Sequence, residues 1–397
     1  MASRRNFLLK TAAVAGSGFI FPDSFAASPG AGIKSQFLIP SSRVYLNTGT
    51  LGSSPLPVIR TIEENMRLLE ADPAGENWGT TGNRMEVTRE KIAQLTGASK
   101  DEILLTGNTT EGLNLVSSSI ILNKGDEVVT TTMEHGGAEV GLEYLCKISD
   151  AALRKIELPL IPSNPEQLAE SVISQLSAQT RVLLLSHVNT ITGLVMPFYL
   201  LKDHCRKAGI FLIADGAQSV GQIPVNVVSM GVDAFAASGH KWLLGPKETG
   251  FLYLKKEHHE KIKPVFMTDG FASYTRSTGT RNASLIIGLG AAVDWIQNLG
   301  VEHIRSHGLK LRELFAKELG QISGCEPISP ENNSLSTCIF SFSLERLSNT
   351  DVAAALNKKD IRVKVLPRKN AIRISFAPYN SEEDVAALVS ALRAEIR

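Results

Sequence analysis

Short apolar runs separated by longer mixed stretches set the pattern of the chain through residue 214. Ile103-Leu104-Leu105, Asp126 to Thr130, Arg181 to Ser186 and Gly209 to Ala214 are rich in branched residues, and each lies near a turn signal. That is the pattern of strands buried on both faces. Between them, Glu166 to Leu176 and Leu201 to Lys207 carry apolar residues at helical spacing, so the alternation predicts a doubly wound α/β domain with a mainly parallel sheet. Ligands of such a domain sit beyond the carboxyl ends of the strands.

Beyond residue 285 the pattern changes. A Gly/Ala-rich helix is predicted over Ile286 to Leu299 and an amphipathic one over Val301 to Leu319. Then come a strand from Thr337 to Phe342, a helix from Asn349 to Lys358, a strand from Ala371 to Phe376, and a closing helix from Ser381 with Glu382 and Glu383 in its first turn, where acids complement the dipole. This reads as a smaller α+β domain. The expected division is a leader over 1–26, an N-terminal segment over 27–58 that packs with the small domain, a large domain over 59–285 and the small domain over 286–397.

Composition sharpens this in two respects. With 41 basic and 40 acidic residues the charge is balanced, which gives no reason to expect nucleic acid or an anionic membrane as partner and favours a small-molecule substrate. The four cysteines, Cys146, Cys205, Cys325 and Cys338, are widely spaced and form no C-x-x-C pair, so neither a zinc cluster nor a dithiol motif is indicated.

At the N-terminus, Ser3-Arg4-Arg5-Asn6-Phe7-Leu8 precedes a mildly apolar stretch and the small-x-small site Ser24-Phe25-Ala26. Paired arginines in this setting resemble a twin-arginine export signal. The expectation is a periplasmic enzyme delivered by the twin-arginine machinery, tethered to the membrane if the signal stays uncleaved.

The chemistry concentrates where two apolar runs end. Asp215 closes one of them, and Ser238-Gly239-His240-Lys241 follows Val232 to Ala237. A lysine delivered by a buried strand into a polar loop, beside a carboxylate ending a neighbouring strand, is what pyridoxal phosphate requires. The lysine holds the aldehyde as a Schiff base and the acid keeps the ring nitrogen protonated.

Three further places suit the same cofactor. Thr109 and Thr110, after a strand and opening a helix, offer hydroxyls and backbone N–H groups to a phosphate, although Thr109 is equally an ordinary helix N-cap. His135 can stack on the ring or be a surface histidine beside a flexible turn. Gln218, in Asp215-Gly216-Ala217-Gln218-Ser219, can reach the phenolic oxygen. Ser238 and His240 are available to the phosphate.

With Tyr45-Leu46-Asn47-Thr48-Gly49, Glu134-His135, Gly279-Thr280 and Arg373-Ile374-Ser375 added in order, the chain resembles the class V aminotransferases of the fold-type I pyridoxal-phosphate superfamily. That family includes cysteine desulfurases and isopenicillin N epimerases. The resemblance implies a homodimer with shared active sites, Thr280 reaching the partner subunit's phosphate, Arg373 taking the substrate carboxylate and Asn47 near the substrate.

Desulfurases of the family carry a nucleophilic cysteine shortly before this arginine, and residues 362–372 contain none. Buried, inert thiols are the reading for Cys325 and Cys338. Thr190 stands where desulfurases place an asparagine against the phenolic oxygen, and Arg281 where they place proline; both are more similar to the isopenicillin N epimerase branch. The expected function is an enzyme acting at Cα of an amino acid through Lys241, with an epimerase or aminotransferase outcome. A desulfurase or C–S lyase is the alternative. Remote alternatives are a non-catalytic binding protein and an S-x-x-K serine hydrolase, which lacks its K-T-G and S-D-N elements here. The substrate pocket is expected from the loop after Asn47, the region of Trp78 and Phe271 to Tyr274.

Overall fold

The computed structural model describes residues 31–262 and 279–396; the leader and the Phe271 to Tyr274 segment lie outside the described residues. The apolar runs form one seven-stranded sheet. Its strands are β2 (Ile103–Thr106), β3 (Glu127–Thr131), β4 (Ala152–Ile156), β5 (Thr180–Ser186), β6 (Phe211–Asp215), β7 (Ala234–Ser238) and β8 (Gly250–Leu254), in the order β2-β8-β7-β6-β5-β3-β4. Only β8 runs against its neighbours; the pairs from β7 to β4 are parallel.

Alternation along each strand sorts its residues into two cores, because successive side chains leave opposite faces. Leu183, Leu185, Leu212, Ala214 and Phe235 join one cluster with helices Thr80–Thr96 and Ala283–Leu299. Val182, Leu184, Ile213, Ala234 and Ala236 join another with helices Thr109–Ser117 and Gly136–Ser149. Both faces are covered, which is why the strands read as continuous apolar runs.

Register positions the chemistry. Ser186 pairs with Asp215, and Asp215 with Ala236, so β5, β6 and β7 finish together at one sheet edge. Their last residues are Ser186, Asp215 and Ser238.

The second sheet is antiparallel, in the order β12 (Lys364–Leu366), β13 (Ala371–Ser375), β10 (Ile339–Leu344) and β9 (Cys325–Pro327). It packs with helices Val301–Leu319 and Glu382–Glu395 around Phe315, Phe340, Phe342 and Leu388. β1 (Val44–Tyr45) pairs with β11 (Ile361–Arg362), and Asn47 bridges to Ser375. The segment entering the active-site loop is thereby stitched to the strand that carries Arg373.

Several boundaries differ from the sequence expectation. Gly209 is not the start of a strand; it caps the preceding helix with φ 68°, a left-handed conformation suited to glycine. The helix expected from Glu166 to Leu176 ends at Ile173, after starting at Pro165 behind the capping side chain of Asn164. The strand expected from Thr337 begins at Ile339. Asn108, not Thr109, is the N-cap of helix Thr109–Ser117 and accepts from the Glu111 N–H.

Candidate active site

A cavity of about 500 Å³ opens where the large sheet's carboxyl edge faces the small sheet. Lys241, Asp215, His135, Thr109, Thr110, Thr190, Ser238, His240 and Arg373 all line it. Two residues expected at the site do not: Asn47 and Gln218 stand behind the wall. Thr280, expected at the partner subunit's phosphate, lines a separate cavity with Trp78 and Arg281. Trp78 is 74% exposed and makes no wall of the cavity that holds Lys241.

Lys241 follows β7 in a loop held at several points. Gly239 N–H donates to Thr249 O (2.7 Å), Gly245 N–H to Gly239 O (2.8 Å) and Gly52 N–H to His240 O (2.7 Å). The next residue, Trp242, is buried and donates its indole N–H to Gln218 Oε1 (2.8 Å). Burial lowers the pKa of Lys241, Arg373 lowers it further, and Asp215 opposes both. A lysine so placed loses its proton more readily than one in water.

Asp215 is buried, and its Oδ1 accepts the Ala217 N–H at 2.9 Å. Burial raises its pKa; Lys241, that N–H and His135 pull it back. Its ionised form is the one that a neighbouring cation favours.

On the β7 side, Ser238 Oγ accepts the Thr109 N–H at 3.0 Å and lies 2.7 Å from Thr109 Oγ1. Thr110 adds a second hydroxyl at the start of the helix, where backbone N–H groups and the dipole favour an anion. His240 Nδ1 is buried without a hydrogen-bond partner among the described residues. Hydroxyls, a helix N-terminus and an unspent ring nitrogen fit a phosphate group.

His135 caps helix Gly136–Ser149, not a flexible turn, and its Nδ1 accepts the Gly137 N–H at 3.0 Å. That bond leaves the proton on Nε2 in the neutral ring. Burial first, then the charges of Lys241, Lys364 and Arg373, lower its pKa against Asp215, so the neutral form persists.

Arg373 is buried on β13. Its guanidinium donates to Thr190 O (3.0 Å), Thr190 Oγ1 (2.9 Å) and Thr50 Oγ1 (2.9 Å), while Nε is unpartnered among the described residues. Burial brings its pKa down to about 10, and it stays cationic. Asn47 accepts from Thr50 Oγ1 (2.7 Å), and Gln218 donates to Thr190 Oγ1 (3.1 Å) and Gly49 O (2.7 Å). Both residues hold the groups that hold Arg373.

Gly49, Thr50 and Lys364 also line the cavity, and sequence reasoning did not single out Lys364. Glu134 was noted for the resemblance alone. Its carboxylate accepts from Thr131 Oγ1 (2.8 Å), the Ser186 N–H (3.0 Å) and Ser186 Oγ. Burial raises its pKa to about 7, with Asp215 adding repulsion. The four cysteines are buried and free, and none lines the cavity. Burial pushes Cys325 up to about 11 and Cys338 to about 12, as expected of inert thiols.

A lysine, a buried aspartate and an anion cradle at the carboxyl edge of a parallel sheet define a pyridoxal-phosphate enzyme. Residues 44–388 match the aminotransferase class-V family model, and the chain belongs to that family. Among its relatives, a probable cysteine desulfurase of Halalkalibacterium halodurans is 30% identical over 89% of this chain and 93% of its own length. An isopenicillin N epimerase of Amycolatopsis lactamdurans is 28% identical over 92% and 98%. In fold, the apo structure of a cysteine desulfurase from Thermococcus onnurineus superposes with a TM-score of 0.83 at 24% identity, covering 94% of this chain and 99% of that one. The cofactor is pyridoxal 5'-phosphate, and the fold is fold-type I.

Proposed function

We propose that this enzyme moves the Cα proton of an amino-acid substrate, with an epimerase or aminotransferase outcome. The observation that carries the reading is the convergence of Lys241, Asp215 and Arg373 on one cavity whose described wall contains no cysteine. Bound pyridoxal phosphate supplies an electron-withdrawing ring that acidifies the Cα–H of an amino acid joined to it.

Thr109, Thr110, Ser238 and His240 would hold the phosphate, and Asp215 the ring nitrogen. His135, neutral and capping its helix, would lie against the ring face. Arg373 would orient the substrate by its carboxylate, a task suited to a planar guanidinium. Lys241, its proton affinity reduced by burial and by Arg373, then accepts the Cα proton as the amine. Returning the proton at Cα from the other side inverts the centre; delivering it elsewhere leads to transamination.

A cysteine desulfurase or C–S lyase is the second reading, favoured by the names of relatives such as that of H. halodurans. A serine hydrolase is disfavoured because Ser238 Oγ is engaged by Thr109. Export by the twin-arginine route, a periplasmic location and a homodimer sharing active sites complete the proposal.

The test is incubation of the holoenzyme with L- and D-amino acids in deuterated water, following Cα exchange, chirality and keto-acid release. Exchange that depends on Lys241, with inversion or keto acid, supports the proposal. Sulfide or alanine from cysteine without such exchange chemistry overturns it in favour of the second reading.

A further inference from the structure

Lys364 of β12 pairs directly with Arg373 of β13. Residues opposite one another on antiparallel strands point to the same face, with Cβ atoms about 5 Å apart, and like charges so placed repel. Both side chains line the same cavity. Neither has a carboxylate partner among the described residues: Arg373 donates to the oxygens of Thr190 and Thr50, and no ion pair includes Lys364. Asp215 is the one carboxylate among the described lining residues, and it stands on the large-sheet side beside Lys241.

The positive charge has identifiable uses up to a point. The phosphate end of the cavity is built from Thr109, Thr110, Ser238 and His240 on the large sheet, and the proposed α-carboxylate falls to Arg373. Lys364 is left over on the substrate side, exposed at the small-sheet wall. An unneutralised cation beside another in a substrate pocket is relieved by a second anion.

We propose that Lys364 is a specificity-determining residue that selects amino acids carrying a second acidic group on the side chain. The inference rests on the amino-acid reading above and narrows its substrate class. A distal carboxylate would accept from the Lys364 ammonium while the α-carboxylate stays on Arg373, so the two cations are shared between two anions.

The experiment titrates the holoenzyme with two pairs of near-isosteric amino acids, glutamate against glutamine and aspartate against asparagine, reading affinity from the change in the cofactor's visible absorbance. A charged hydrogen bond from an exposed lysine is expected to give about a tenfold preference for the acid in at least one pair. Lys364→Met should bring that ratio near one, Lys364→Arg should keep it and Lys364→Glu should invert it. Equal binding of acid and amide in both pairs, or a ratio unchanged in Lys364→Met, overturns the role of Lys364 alone. A bound cofactor whose spectrum responds to no amino acid overturns the amino-acid reading itself, and this inference with it.

Discussion

Gly52→Ala is expected to damage catalysis without touching any group that meets the ligand. Gly52 lies against the loop that carries the catalytic lysine, and a Cβ built there would stand 2.1 Å from Lys241 O, 2.8 Å from Leu244 Cδ2 and 3.2 Å from Lys241 C. The nearest obstacle is backbone, so no rotamer change relieves it. Reaching ordinary contact requires the two loops to part by about 1 Å, and a misplacement of that size can cost about 10²-fold in rate. The Gly52 N–H to His240 O bond (2.7 Å) would lengthen with it, at a further cost of about 1 kcal/mol in stability. Rates of Cα deuterium exchange at saturating amino acid, with the visible spectrum, are the assay. Gly320→Ala is the control, since its Cβ meets nothing nearer than 3.7 Å and its φ is −60°. Exchange in Gly52→Ala within about twofold of the parent, with an unaltered spectrum, would refute the reasoning.

Other expectations follow from the same contacts. Arg373→Lys loses the paired N–H donors and the bonds to Thr190 and Thr50; the apparent Kd for amino acids, read by titration, should rise about 100-fold, near 3 kcal/mol. Ser238→Ala removes the hydroxyl that joins Thr109, and equilibrium dialysis should show about tenfold weaker cofactor binding. His187 is buried between Phe198 and Phe235, and burial lowers its pKa from 6.5 to about 4. The folded chain keeps it neutral while the unfolded chain takes up a proton below 6.5, so its contribution is present above that pH and is lost as pH falls towards 4. The loss is on the order of 3 kcal/mol. Denaturant unfolding between pH 7 and pH 4 should show a shallower fall for His187→Leu, and identical slopes would contradict this.

Much of this arrangement was legible because burial on both faces writes itself as apolar runs. β2, β3, β5, β6 and β13 were expected within a residue or two of where they lie, and the helices Val301–Leu319 and Asn349–Lys358 over the same residues. β4 was not foreseen. It sits at the sheet edge as Ala152-Leu153-Arg154-Lys155-Ile156, mostly uncovered, and carries no apolar run. Helix Thr80–Thr96 was missed for a related reason: its buried face includes Thr81, Thr88 and Thr96, which do not register as hydrophobic.

At the site, residues at strand ends and in the lysine loop could be named from sequence because strand and loop are local. Which of them face the cavity depends on contacts between distant segments. Asn47 and Gln218 are turned to support by Thr50, Thr190 and Trp242. Lys364 enters the cavity through strand pairing with Arg373, a register that a single pass along the chain does not expose.

The central claim, that Lys241 carries the cofactor, is tested most directly by reducing the holoenzyme with borohydride and mapping the pyridoxyl mass by peptide sequencing. One modified peptide, labelled at Lys241, is expected, with loss of the visible band in Lys241→Ala. A label on another lysine, or an unmodified Lys241 in protein that still shows the band, would contradict it.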